Sequence, residues 1–283
     1  MEPIEGIAAL MAGAGVDQWG VCRYADVLPL LDVRSKRRIP PAAKSILVLL
    51  FGYYIEDYPN RNISRYAIVD DYHTVLREKL DALVENLWKR FKTEVFIPFV
   101  DASPVAEVRA ARLAGLGDVG LNGQLLNPVY GSYCFIAEVV TTLELPPFAG
   151  EPPRLCTRCE ACRAACPTGA LSAAGFDRAR CRSHITQKKG ELTPWEREQV
   201  RQGGFVWGCD RCTDACPMNR GAAKSAVPAF YQDNVSTVGE ANVESLCRTK
   251  AYGWRGAEVL RRNLRLIRGA DLEKTECTKS DKE

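Results

Sequence analysis

Residues 156–171 read CTRCEACRAACPTGAL, with cysteines at 156, 159, 162 and 166 and a proline directly after the last. Thiolates are soft ligands, and three of them at two-residue gaps let one tight loop aim successive sulfurs at different irons of a cubane. The run C-x2-C-x2-C-x3-C-P marks bacterial two-cluster ferredoxins, whose fourth cysteine reaches over to the other cluster. A partner motif is therefore required, and CDRCTDACP supplies it with Cys209, Cys212, Cys216 and Pro217. Its first cysteine is missing from the expected place, where Val206 stands, and Cys181 in RARCRSHIT is the available substitute. The count then closes on two [4Fe-4S] clusters. Cys156, Cys159, Cys162 and Cys216 are assigned to cluster I; Cys181, Cys209, Cys212 and Cys166 to cluster II. Paired C-x2-C motifs also serve structural zinc, but two zinc sites need neither three cysteines in a row nor a repeated C-x3-C-P.

The other four of the twelve cysteines, Cys22, Cys134, Cys247 and Cys277, are scattered singles and read as packing residues. So many thiols, patterned for metal, suit a reducing compartment. No apolar run approaches the roughly 20 residues of a bilayer span. The start, MEPIEGIAALMAGAGVDQWG, carries acids where a signal peptide carries Lys or Arg. A cytoplasmic location with no membrane partner is the expectation. At 283 residues, 46% apolar and 26% charged, the chain suits one large or two modest globular domains. A net charge of +3 is too mild to mark a nucleic-acid partner by itself.

Ahead of the cysteines, helical and strand patterns alternate. GIAALMAGAG predicts a helix ended by glycines, AAKSILVLLFGYY a buried strand, DDYHTVLREKLDALVENLWKRF a long amphipathic helix, and EVFIPFVD and SYCFIAEVVTTLEL two more strands. Between these last two, SPVAEVRAARLAG predicts a helix with Ser103 as N-cap, Pro104 at its first position and Gly115 as its stop. LPPFAGEPP then reads as a linker. The organisation expected is an α/β or α+β domain over 1–150, a cluster domain over 151–225 and a basic helical tail over 226–283. That tail, CRTKAYGWRGAEVLRRNLRLIRG, holds seven Arg or Lys against one Glu, with Leu260, Leu264 and Ile267 on one face. It suits a docking helix with a solvated basic side or an acidic or nucleic-acid partner equally. The glycines of AGLGDVG match G-x-G-x-x-G, but they follow a helix instead of opening one, so a Rossmann site is not expected. With only two histidines, His73 and His184, histidine-based catalysis has little room.

The order GVDQWGVCR, PPAAKSILVLLFGYY, SRYAIVDDYH, FVDASPVAEVRAARLAGLG, GSYCFIAEVVTTLEL, the two cysteine motifs and WRGAEVLRRNLRLI resembles the landmarks of the epoxyqueuosine reductase family, over residues 10–268. That family is related to the reductive dehalogenases. The resemblance implies an α+β architecture: a nitroreductase-like α/β sandwich that binds cobalamin, joined to a bacterial ferredoxin-like double [4Fe-4S] domain. It implies reduction at a corrinoid cobalt fed single electrons through the clusters, with a ferredoxin or flavodoxin as donor. Asp101 matches the family's proposed proton donor, and shielding by FIPFV is expected to hold its proton to higher pH by desolvation; the structural alternative is a helix-capping role. Arg65, Tyr66, Asp71, Tyr72 and His73 match the RYA...DYH landmark, and Gly117, Gly120 and Asn122 the glycine segment, as candidate contacts to corrinoid or substrate. His73 is not expected to ligate cobalt, because Leu76 stands where the D-x-H-x-x-G motif has glycine.

The chain departs from the family at GDVGLNG, usually GWIGKN, and at Glu107-Val108-Arg109, usually Glu-Arg. It stops where longer members continue into helical repeats that help hold tRNA, so a small molecule or modified nucleoside is expected ahead of tRNA. Two other readings stand beside this one: a corrinoid-free electron-transfer or activator protein, and a flavin in the first domain.

Overall fold

The computed structural model describes residues 3–280, with side chains to residue 269. Two compact units emerge. The first comprises the chain up to Ile55, Tyr72–Cys159 and Pro217–Ala229; the second comprises Glu56–Asp71, Glu160–Cys216 and the chain from Phe230 onward.

In the first unit α1 (Pro3–Gly13) leads to β1 (Gln18–Arg23) and β2 (Ser45–Gly52), and α2 (Tyr72–Arg90) leads to β3 (Phe96–Val100). Then α3 (Glu107–Leu113) precedes a hairpin of β4 (Asp118–Val119) and β5 (Leu125–Leu126), and β6 (Cys134–Thr141) follows. The sheet runs β1-β2-β6-β3, antiparallel throughout. Every residue of β2 is buried, which requires cover on both faces of the sheet. On one face Ile46, Val48, Leu50, Phe99 and Val140 meet Ala110, Ala111 and Ala114 of the α3 segment. The small alanines let α3 approach closely. Beside β3 lies α2, whose buried Leu76, Leu80, Leu83, Val84 and Leu87 recur at helical spacing, and α1 packs on α2. Each such fully buried aliphatic side chain contributes about 1.5–3 kcal/mol over leaving it in water.

The second unit holds α4 (Ala161–Ala164), α5 (Arg182–Thr186), α6 (Pro194–Gly203), α7 (Arg211–Asp214), α8 (Val243–Thr249) and α9 (Ala257–Ser280). Its core gathers Ile63, Ala67, Ile68, Val206, Trp207, Tyr252, Leu260 and Leu264. The basic tail thus includes a docking helix. Asn263, fully buried on α9, donates to the carbonyls of Thr186 and Val206 at 2.8 Å each, and Arg261 pairs with Glu244 and Glu258.

Three consecutive blocks were expected, whereas the units interleave along the chain. The apolar Ile63, Ala67 and Ile68 are buried in one cluster with Val206, Trp207 and the α9 residues Leu260 and Leu264, which draws 56–71 into the second unit. Residues 217–229 return to the first, where Ala223 N donates to Val129 O at 2.9 Å and Ser225 N to Tyr54 O at 2.6 Å. Ser103 is a second departure. The α3 helix starts later than predicted, with Ala106 at its N-cap, and the Ser103 hydroxyl accepts from Val105 N and donates to Glu138 instead. Gly115 ends the helix as expected, at φ +75°.

Candidate functional site

Asp101 closes β3 at φ +52° and Ala102 follows at φ +48°. Two consecutive non-glycine residues in the left-handed region cost of order 1–3 kcal/mol each, so the surrounding structure must hold them. It does so from both sides. Ser35 Oγ donates to Ala102 O, while Tyr72 Oη donates to the Asp101 carboxylate and His73 Nε2 lies 3.1 Å from the same oxygen. Tyr72 is itself fixed: its ring stacks on Phe135 at 3.9 Å and on His73 at 4.1 Å. Asp101 and Glu107 both line a cavity of about 990 Å³ in the first unit, whose lining is otherwise largely apolar, including Leu31, Val33, Val108 and Val119.

The expected upward shift of Asp101 is not what this geometry gives. Burial does push its pKa up, but the hydrogen bonds from His73 and Tyr72 and the charge of His73 favour the carboxylate and bring the net below the ordinary Asp value. Two raised carboxyls of the first unit were not singled out as acids in the sequence. Burial, then the fields of Glu138 and Asp101, lifts Glu107 to about 8. Glu138, fully buried in the middle of β6 opposite Val48 and Phe99, is lifted by burial to about 7 despite the Ser103 bond, and its Oε1 has no hydrogen-bond partner among the described residues. The readable signal was an acid at an apolar position of CFIAEVVT.

The predicted cluster ligands fall in both units: Cys156 and Cys159 in the first, Cys162, Cys166, Cys181, Cys209, Cys212 and Cys216 in the second. Asp118, another residue missed in the sequence, accepts the backbone N–H of Leu155 and of Cys156 at 3.0 Å each and so fixes the entry to the first motif. In the second unit α4, carrying Cys162, packs on α7, carrying Cys212. Cys166, Cys181 and Cys209 lie close enough to Cys212 that, with burial first and Asp210 beside them, they push its thiol up to about 12. Four gathered sulfurs that oppose one another's ionisation are a donor set suited to a polycationic iron core, so these residues fit a cluster. Burial raises Cys166, but the N–H groups of Leu171, Thr168 and Ala170 and the Thr168 hydroxyl outweigh it, drawing this thiol below its ordinary value. Among the described residues no three His, Cys, Asp or Glu side chains close on a single-ion site. A cubane spreads its ligands over four irons and makes no such demand.

Arg65 and Tyr66 belong to the second unit, Tyr72 and His73 to the first. Trp207 Nε1 donates to Tyr66 Oη at 2.7 Å; Arg65 pairs with Asp57 at 2.9 Å and Asp214 at 3.0 Å, and its backbone N–H donates to Asp210 at 2.8 Å. Arg61, 9% exposed in its side chain, also meets Asp210 and Asp214. Removing one member of a buried ion-pair network leaves its partner charge stranded, so Asp210→Ala is expected to cost about 3–5 kcal/mol, read by urea unfolding at matched iron content. Gly117 precedes the β4–β5 hairpin, where a Cβ would sit 2.2 Å from Leu126 O. Gly120 and Asn122 form the hairpin tip; the Asn122 side chain accepts from Gln124 N at 3.2 Å, and its buried Nδ2 has no partner among the described residues.

Residues 155–219, spanning all eight predicted ligand cysteines, match the 4Fe-4S double cluster binding domain. With the sheet unit and its acid-bearing cavity, this defines an iron–sulfur oxidoreductase. Residues 34–102 match the family described as epoxyqueuosine reductase QueG, DUF1730. The epoxyqueuosine reductase of Leadbetterella byssophila is 38% identical over 206 residues, 71% of this chain and 67% of that protein. That of Synechocystis is 35% identical over 247 residues, 80% and 81% respectively, whereas the match to the Vibrio cholerae enzyme, at 34%, spans 56% of its length. The chain belongs to the epoxyqueuosine reductase family. The fold agrees: the Streptococcus thermophilus epoxyqueuosine reductase superposes with a TM-score of 0.78 at 23% identity over 100% of this chain and 87% of that one. An epoxyqueuosine reductase solved with an epoxyqueuosine-modified tRNA-Tyr stem loop gives 0.77 at 26% identity, over 93% and 80%.

Proposed function

We propose that this chain reduces the epoxide of an epoxyqueuosine-type nucleoside carried in RNA, with electrons passing singly through two [4Fe-4S] clusters to a bound corrinoid. The observation that carries the reading is Asp101, held on a strained turn at a large cavity by Tyr72 and His73, in a chain 35–38% identical to epoxyqueuosine reductases. When bound, a corrinoid supplies the electrons to the carbon–oxygen bond. The cavity residues fit a ligand with a broad apolar face: Leu31, Val33, Val108 and Val119 would contact it, Val119 from the β4–β5 hairpin that Gly117 precedes and whose tip carries Gly120 and Asn122. Asp101 delivers a proton within the cavity, with Tyr72 and His73 orienting its carboxyl. A titration of the reconstituted protein with cob(II)alamin is expected to give a base-off, protein-bound EPR signal. No binding, with both cluster signals intact, would leave the corrinoid-free electron-transfer reading.

RNA as the carrier is favoured over a free small molecule by the 3₁₀ segment Arg34–Arg38, of sequence RSKRR. Its Ser35 is bonded to Ala102, and Arg34, Lys36 and Arg37 are exposed on that segment next to Val33 of the cavity, where they suit phosphate groups, while Arg38 donates to Pro98 O at 3.0 Å and lies over the Phe99 ring. Cluster I is assigned to Cys156, Cys159, Cys162 and Cys216, and cluster II to Cys166, Cys181, Cys209 and Cys212. A ferredoxin or flavodoxin supplies the electrons. Among the described residues no helix is long and apolar enough to cross a membrane.

A further inference from the structure

Reductive removal of an epoxide oxygen as water breaks two C–O bonds, forms a C=C bond and consumes two electrons and two protons. The clusters deliver electrons from the one-electron donor protein, but Asp101 carries at most one proton, and its two hydrogen-bond donors favour its ionised form. The balance requires a second proton, which a second acid at the cavity can supply. Resting on the epoxide-reductase reading above, we propose that Glu107 is that acid, a proton-donating carboxyl that lines the same cavity as Asp101 and is backed by the buried Glu138–Ser103 pair.

Glu107 shares its cavity with Asp101 and with two arginines, Arg109 and Arg112. Glu107 opens α3, yet neither arginine of that helix is committed to it: Arg109 donates to the carbonyls of Asp26 and Leu28, at 2.7 and 3.3 Å, and Arg112 lies 3.9 Å from Asp118. Asp101, bonded to Tyr72 and His73 of α2, lines the same cavity, and the charges of Glu138 on β6 and of Asp101 both act to raise Glu107, as that of Glu138 raises Cys22 of β1. Glu138 is 0% exposed, accepts one hydrogen bond from Ser103, and leaves Oε1 without a partner among the described residues. A carboxylate there would be uncompensated. Burial therefore holds the Glu138 proton up to about pH 7, and once Glu138 does ionise its negative charge opposes the ionisation of Glu107. After Asp101 and Glu107 have each given a proton, Glu107, only partly buried, is recharged from solvent at the cavity.

The test has an arm that needs no turnover. An acid held more tightly folded than unfolded stabilises the fold fully below its unfolded value of 4.5, and that contribution is lost as pH rises through the folded values of about 7 for Glu138 and about 8 for Glu107. In the purified protein a protonated-carboxyl infrared band should persist at neutral pH, and one component titrating near pH 8 should vanish in Glu107→Gln. Absence of that component from the wild type overturns the proposal whatever the variants do. The activity arm uses an epoxyqueuosine-bearing RNA stem loop: Glu107→Gln should lower kcat by on the order of 10²-fold and remove the alkaline decline in rate, while Glu107→Asp restores the decline. Unchanged rate and profile in Glu107→Gln overturn the proposal if Asp101→Asn is inactive. If Asp101→Asn is also fully active, the parent reading itself has failed.

Discussion

Asp101→Asn is expected to reduce turnover of an epoxyqueuosine-bearing stem loop by on the order of 10²–10⁴-fold while iron content and cluster EPR stay at wild-type levels. The substitution is unusually clean at this position. Asp101 sits at φ +52°, and asparagine is among the few residues that adopt the left-handed region readily, so the turn keeps its conformation. The amide oxygen still accepts from Tyr72, and the stacking of Tyr72 on Phe135 and His73 is untouched. What disappears is the ability to release a proton. Wild-type turnover in Asp101→Asn would end the proton-donor assignment.

The same variant makes a pH prediction of definite sign. The folded pKa of Asp101 lies below its unfolded value of 3.8, so its stabilising contribution is present above 3.8 and is lost as pH falls through the folded value. Asp101→Asn should therefore be slightly less stable than wild type at neutral pH, with the gap closing in acid. The effect is small because the Asp101 side chain is 44% exposed and water screens its partners. A gap that widened in acid would mean that burial, and not the Tyr72 and His73 bonds, governs this carboxyl.

Much of this was legible in the sequence because it depends on local spacing. The cysteine runs, the apolar SILVLLFG strand and the 3.6-residue period of α2 each encode their structure within one window. The interleaving of the units was not legible, since only the shared core shows that Ile63 and Ala67 pack with Trp207 and Leu260. Asp101 illustrates the limit for chemistry. Burial does act to raise its pKa, but the sign of its shift is set by Tyr72 and His73, 29 and 28 positions away. Glu138 shows the reverse case. An acid amid CFIAEVVT was visible, and its meaning emerged only when β6 proved to be flanked by β2 and β3, with Glu138 level with Val48 and Phe99.

Cys216→Ser is expected to destroy cluster I and spare cluster II, although Cys216 lies in the second motif. A short helical turn precedes the last cysteine of each motif: α4 runs from Ala161 to Ala164, two residues before Cys166, and α7 from Arg211 to Asp214, two before Cys216. In the two-cluster pattern the fourth cysteine of such a motif ligates the other cluster, and Cys166 lies close enough to Cys212 for its charge to raise that thiol. Four variants settle the matter by their pairing. Cys216→Ser should share its EPR loss with Cys159→Ser, and Cys166→Ser with Cys209→Ser, each losing about half of the iron because one of two clusters is lost. If Cys216→Ser instead matches Cys209→Ser, the ligation is uncrossed. Cys181 adds an independent check, since it stands outside both motifs yet lies within range of Cys209 and Cys212. Cys181→Ser must then reproduce the Cys209→Ser spectrum and leave the signal lost in Cys159→Ser at full strength.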